Sequence, residues 1–144
     1  MNKNTEIKMN ELTEGMDLPG IEKTITQENI NRYAEVSQDF NPIHVDEDFA
    51  RKTPLGGTIA HGMLIMAYIS QMMTAAFGQS WLTGGKLSTR FKTPARPGDI
   101  LNITGKIRKI DRGRVQITIS CDILCSNQSA ETVIIGETEV RIKP

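Results

Sequence analysis

Cysteine, histidine and aromatic residues are all scarce in this chain of 144 residues, which has two Cys, two His and 5% aromatics. Two cysteines cannot build the multi-bridge framework that holds small secreted domains together. Cys121 and Cys125 also lie in a strand-like segment. Four residues of strand span roughly 13 Å, against a Cα separation of about 7 Å that a disulfide tolerates. They read as reduced core thiols of a cytoplasmic protein. Neither sign of charge is in excess: Lys plus Arg and Asp plus Glu both number 17. With no basic run interleaved with aromatics, nucleic acid and anionic membranes have no electrostatic claim as partners. Long apolar runs are missing too. Leu55 to Gly85 carries no Asp, Glu, Lys or Arg, but its continuous apolar part, Met63 to Ile69, stops at Ser70 and Gln71. A bilayer crossing needs about 20 such residues. Met1 to Asn10 is polar and has no signal-peptide core. No repeat, low-complexity tract or linker divides the chain, so residues 1–144 are expected to form one domain, large enough to bury a core.

What is present is an ordered succession of periodicities. Leu18 to Ile25 reads as a strand. Thr26 can cap a helix running to about Val36, with Ile30, Tyr33, Ala34 and Ser37 on one face. Asp39 to His44 reads as a loop, because Pro42 lacks an N–H and disfavours helix at Asn41. Asp46 can cap a short helix with Glu47 and Asp48 in its first turn. Thr53 to Ala60, with Pro54, Gly56 and Gly57, is loop. His61-Gly62 then opens an uncharged helix that ends near Phe77-Gly78; being apolar on nearly all sides, it should be wrapped by other elements. Beyond Gly85 the period becomes two. Lys86 to Lys92, Ile100 to Ile110, Val115 to Cys125 and Thr132 to Ile142 read as four consecutive antiparallel strands, with hairpin signals at Asp111-Arg112-Gly113 and Asn127 to Ala130 and a bulge at Gly136. A meander with one apolar face needs a cover, and Gly62 to Phe77 is the element long and apolar enough. The fold class is therefore α+β, an antiparallel sheet curled around a central helix.

Chemistry concentrates where both histidines fall. Asp39 precedes His44 by five residues across the Asn41-Pro42 turn, and a carboxylate and an imidazole converging on one water can share the acid and base work of adding it to a double bond. Pro42 and Asn41 hold that loop, the first by fixing φ and the second by local hydrogen bonds. Against this stands the plainer possibility that Asp39 braces the loop and His44 is a satisfied, partly buried histidine. Gly62 sits at the start of the uncharged helix, where unpaired N–H groups and the positive end of the helix dipole can stabilise a carbonyl oxygen that gains negative charge. The alternative there is tight packing. His61 is better read as a brace for a loop than as a catalytic group. Ser70, two turns further on, most simply bonds back to the preceding turn. A metal held by His44, His61 and nearby carboxylates is conceivable, but the spacings match no familiar ligand pattern, and no metal is expected.

Tyr33-Ala34-Glu35-Val36-Ser37-Gln38-Asp39-Phe40-Asn41-Pro42-Ile43-His44-Val45-Asp46, followed by Gly57-Thr58-Ile59-Ala60-His61-Gly62-Met63, resembles the hydratase-2 motif of (R)-specific enoyl-CoA hydratases, in the MaoC-like dehydratase group of hot-dog proteins. The later Phe-x-x-Pro-x-x-Pro-Gly-Asp stretch, Phe91 to Asp99, is also typical of them. The resemblance implies a hot-dog fold and a homodimer, or a dimer of dimers, with active sites near the subunit interface. It implies reversible syn hydration of a trans-2-enoyl thioester to the (R)-3-hydroxyacyl thioester, on CoA or an acyl carrier protein, with no cofactor. Carried onto this sequence, Asp39 and His44 would grip the catalytic water, the Gly62 N–H would polarise the thioester carbonyl, and Ser70 and Asn41 would line the substrate site. A hot-dog thioesterase is the nearest rival, but such enzymes depend on a carboxylate on the central helix and Gly62 to Phe77 has none. A non-catalytic acyl-thioester-binding module is the other alternative. Crotonyl-CoA separates them: a hydratase consumes the enoyl absorbance, a thioesterase releases thiol, and a binding module does neither.

Overall fold

In the computed structural model of the protein, residues 6–144 are described, so the first half of the polar Met1 to Asn10 stretch lies outside them. A strand β1 (Ile21–Thr24) leads into three helices, α1 (Gln27–Ser37), α2 (Pro42–Val45) and α3 (Glu47–Arg51). The long helix α4 (Gly62–Phe77) follows, then a short α5 (Gln79–Gly84). Strands β2 (Lys86–Phe91), β3 (Ile100–Arg112), β4 (Ile117–Ser126) and β5 (Thr132–Ile142) complete the chain. All pairings are antiparallel, in one five-stranded sheet of order β1-β3-β4-β5-β2.

The helix boundaries follow from capping. The Thr26 side chain accepts the Asn29 N–H at the start of α1, and Asp46 accepts the Phe49 N–H at the start of α3. Gly78 ends α4 with φ of 55°, a conformation in which a side chain would be strained. On α4 the buried residues Leu64, Ile65, Ile69, Met72, Met73, Ala76 and Phe77 recur at three- and four-residue spacing. They meet the inward side chains of the sheet: Leu101, Ile103 and Ile107 from β3, Ile117, Ile119, Cys121, Ile123 and Cys125 from β4, and Val133, Ile134 and Val140 from β5. Each large aliphatic side chain fully buried in this way is worth about 1.5–3 kcal/mol.

Several local expectations change. The first strand is shorter, because Asp17 and Leu18 join β3 through an isolated bridge and a single backbone bond to Gly105. The four late strands are no simple meander: β2 leaves β3 and pairs with β5 at the opposite edge, across the Lys92 to Asp99 connection. Asp111 and Arg112 belong to β3, and the turn falls at Gly113, whose N–H bonds to the Gln116 carbonyl. Val115 is therefore in the connection and exposed. Gly136 keeps regular register; the irregularities fall at Ile107/Lys109 and Cys125/Ser126. A Cβ at Gly136 would lie 2.6 Å from the Ser88 carbonyl oxygen, so close strand approach is what requires glycine there. Ser37 is exposed rather than part of the inner face of α1. The helix α4 is not covered on all sides either, since Met63, Ala67 and Gln71 are exposed. The short α5 follows Gly78, where α4 is expected to end, in a segment for which no helix is expected.

Both thiols are completely buried and unbridged, and burial pushes Cys121 up to about 11 and Cys125 up to about 12. A thiol-specific disulfide reagent at pH 8 is therefore expected to label neither cysteine in the native protein and both in denaturant. Rapid labelling of the native protein would contradict this packing.

Candidate active site

Asp39 and His44 face each other across a turn built by their own neighbours. Gln38 closes α1 in the left-handed region, with φ of 62°, and turns the chain back. The Asn41 side chain accepts the Ile43 N–H, Pro42 occupies the first helical turn, and α2 begins. His44 thus sits on a short helix, where the sequence reading had a loop; the proline that disfavours helix at Asn41 is well suited to starting one at its own position. The Asn41 N–H donates to Asp39 Oδ1 at 3.2 Å, which steers the carboxylate. Asp39 Oδ2 comes within 3.9 Å of His44 Nε2. That separation is too long for a direct hydrogen bond. Two bonds of about 2.8 Å span such a gap when they meet at roughly 90°, so one water can bridge the pair from the side.

The other nitrogen of His44 is committed. Nδ1 lies 2.8 Å from the Ile59 carbonyl oxygen, which can only accept, so Nδ1 carries the hydrogen and Nε2 of the neutral ring carries the lone pair. Ile59 is fixed in turn by donating its N–H to the Ile43 carbonyl at 3.1 Å. The His44 ring is almost fully buried, while the Asp39 side chain is about half exposed.

His61 is buried behind the pair. Its ring stacks on His44 with centroids 3.8 Å apart and meets the Tyr33 ring edge-on at 4.8 Å. His61 Nε2 donates to the Asp39 backbone carbonyl at 3.0 Å, so this histidine braces the loop that carries the carboxylate. Its Nδ1 has no hydrogen-bond partner among the described residues. Burial holds the His61 pKa below its ordinary value of 6.5, the nearby His44 adding to the effect against the Asp39 carbonyl. Asp39, His44 and His61 do bring potential metal-ligand atoms within 4.8 Å of one another. The stacked rings are only 26° from parallel, however, so their in-plane lone pairs run side by side instead of toward one point. The set fits a metal poorly without rearrangement.

Gly62 follows His61 directly and begins α4. Its N–H meets no acceptor among the described residues, as the first amide of a helix should. A Cβ at this position would fall 2.5 Å from the Phe91 ring, so packing also demands glycine here. Phe91 is itself exposed, as are Phe40 and Met63, the chain neighbours of Asp39 and Gly62. Ser70 is two turns along α4, about 12 Å from Gly62. Its hydroxyl accepts the Trp81 indole N–H at 2.9 Å, a bond to α5 instead of to the preceding turn. The structure therefore brings together Asp39, Asn41, His44 and the start of α4, and sets Ser70 apart from them. A hollow of about 750 Å³ lies elsewhere, on the outer face of the sheet between Arg90, Lys106, Leu124 and Ile135, and includes neither Asp39 nor His44.

Sequence reasoning missed the frame beneath His44. The Gln27 amide donates to the His44 backbone carbonyl at 2.8 Å and accepts the Thr58 hydroxyl at 2.7 Å. Glu47 accepts the Thr58 N–H and shares the single hydroxyl hydrogen of Thr58 with Gln27, and these bonds, with Arg51 beside it, keep its carboxyl below the ordinary range. Thr58 lies within the quoted motif, but nothing at Gln27, the first residue of an ordinary helix, signals the role.

An antiparallel sheet packed on one long helix, with an acid–imidazole pair beside the first turn of that helix, describes a hot-dog protein of the dehydratase and hydratase type. The chain belongs to the MaoC-like domain family, whose model matches residues 10–123. It is 31% identical over 122 residues to the (R)-specific enoyl-CoA hydratase of Rhodospirillum rubrum, covering 83% of this chain and 81% of that protein. It is 28% identical over 124 residues to the 3-hydroxybutyryl-CoA dehydratase of Methylorubrum extorquens, covering 85% and 76%. Among solved structures, the unliganded R-hydratase of Pseudomonas aeruginosa superposes with a TM-score of 0.80 at 27% identity, over 94% of this chain and 84% of that one. These relatives are named as hydratases or dehydratases, which makes hydro-lyase the enzyme class of the family.

Because the folded protein keeps His61 neutral while the unfolded chain protonates it near pH 6.5, the unfolded state binds more protons below that pH. Stability is expected to fall as pH drops through 6.5. In His61→Phe, which keeps a ring but cannot take a proton, the melting temperature should fall less steeply between pH 6.5 and 5. Equal slopes would contradict a neutral, buried His61.

Proposed function

We propose that the protein is an (R)-specific enoyl-CoA hydratase, adding water reversibly and syn across a trans-2-enoyl-CoA to give the (R)-3-hydroxyacyl-CoA. The observation that carries this reading is the 3.9 Å gap between Asp39 Oδ2 and His44 Nε2, with the other ring nitrogen tied to Ile59. Together the two groups hold one water. His44 Nε2, bearing the lone pair, takes a proton as the water oxygen attacks Cβ. Electrons move from the double bond onto the thioester oxygen, where the Gly62 N–H and the positive end of α4 stabilise the enolate. The proton then passes from the pair to Cα on the same face, and the enzyme returns to its starting state. No cofactor enters these steps.

Met63 and Phe91 are more than half exposed beside the site, and Phe40 is similarly open. Such apolar surface around a polar centre suits the acyl chain and a second copy of the chain, which supports a homodimer with its sites near the interface. None of the described helices is long and apolar enough to cross a membrane, and the unbridged thiols support a reducing compartment such as the cytoplasm.

With crotonyl-CoA as substrate, loss of the enoyl absorbance measures hydration. Asp39→Asn and His44→Ala are each expected to lower kcat by at least ~100-fold while the circular dichroism spectrum stays native. Near-normal turnover in either variant would refute the mechanism, and release of free thiol by the native protein would favour hydrolysis instead.

A further inference from the structure

We propose that Gln27 and Thr58 are positioning residues for His44, a role that rests on reading His44 as the proton acceptor. Two backbone groups decide where the imidazole sits. One is the carbonyl of His44 itself, and the other is the Ile59 carbonyl that receives Nδ1–H. They belong to segments separated by 15 residues of chain. Within those segments, one backbone bond, from Ile59 N–H to the Ile43 carbonyl, joins them directly.

The Gln27 side chain ties the same two segments a second time. Its Nε2 donates to the His44 carbonyl at 2.8 Å and to Asn31 Oδ1 at 2.9 Å, and its Oε1 accepts from the Thr58 hydroxyl at 2.7 Å. The amide orientation is fixed by chemistry, since the His44 carbonyl can only accept. Asn31 lies one turn along α1, so the glutamine is also held from its own helix. Thr58 immediately precedes Ile59 and is almost fully buried, so any shift at Thr58 moves the carbonyl that holds the ring. Glu47 Oε2 accepts the Thr58 N–H at 3.1 Å and lies 2.9 Å from the Thr58 hydroxyl, whose single hydrogen it shares with Gln27 Oε1, and so anchors Thr58 to α3.

The consequence is control of a tautomer. While the Ile59 oxygen stays within bonding distance, hydrogen resides on Nδ1 and the lone pair on Nε2, toward Asp39. If the loop carrying Thr58 relaxes, that preference weakens and the ring is free to turn, although neither Gln27 nor Thr58 touches the reacting atoms. Side chains that orient an imidazole from behind commonly change activity by about 10–100-fold.

Gln27→Leu and Thr58→Val remove the amide and the hydroxyl with little change of shape, and Thr58→Ser keeps the hydroxyl. The expected result is a fall in kcat of about tenfold or more in the first two, a KM for crotonyl-CoA within about twofold of the native value, and rescue by Thr58→Ser. Nitrogen-15 spectra of the histidine rings, recorded without substrate, should show Nδ1–H at His44 in the native protein and in Thr58→Ser, and a mixture of tautomers in the other two. Unchanged kcat and unchanged ring signals in Gln27→Leu and Thr58→Val would overturn the proposal. So would a loss of kcat with the Nδ1–H signal intact, since a general structural effect would produce that. The ring signals are read in the absence of turnover, so they decide the positioning role even where the hydration reading fails on His44→Ala.

Discussion

The hydrogen bond from His44 Nδ1 to the Ile59 carbonyl is the constraint on which the site depends. It is an unremarkable bond in length, 2.8 Å, yet it chooses which nitrogen of the imidazole is basic. The Asp39 carboxylate then faces a lone pair, 3.9 Å away, close enough for one water at the side of the pair to reach both. With the opposite tautomer, Nε2–H would point at the carboxylate and the two groups would satisfy each other. His61 adds a second restraint, since it holds the Asp39 backbone through one nitrogen and supports the His44 ring by stacking. Its own neutrality matters, because a charged ring stacked at 3.8 Å would oppose any proton taken up by His44.

The large architecture serves these few atoms. The helix α4 has its apolar face locked into the curled sheet by fully buried Ile69, Met72 and Met73, so its first turn cannot drift. That turn presents the Gly62 amide beside the stacked histidines. Glycine is required there by the Phe91 ring pressing from the end of β2 into the space a Cβ would take. Packing alone thus accounts for glycine at this position, and the role of its amide belongs to the proposed mechanism. Ser70 ties the next element to this helix, for its hydroxyl accepts the Trp81 indole N–H and links α4 to α5.

Much of this was legible because the sequence speaks in local signals. Thr26, Asp46 and Gly78 are capping residues, and each terminates or starts a helix as its side-chain chemistry requires. The alternation from Ile117 to Cys125 becomes β4 with those residues buried. The Asp39 and His44 pair was readable because it lies within one short segment. What local signals cannot carry is long-range pairing. Nothing in Lys86 to Phe91 says that it pairs with β5 at the far edge instead of with the next strand, and nothing at Gln27 says that its amide reaches His44. Pro42 carries two local signals at once: its ring disfavours helix at the residue before it and favours a helix that starts at it, and here the Asn41 cap lets α2 begin.

The central claim is that one carboxylate and one imidazole handle a single water from one face of the substrate. Hydration of crotonyl-CoA in deuterium oxide tests it most directly, with the relative configuration at Cα and Cβ of the 3-hydroxybutyryl product read by proton NMR. The account predicts that deuterium at Cα and the hydroxyl at Cβ have been added to the same face. A product of anti addition, or a mixture of both configurations formed at the first turnover, would contradict it.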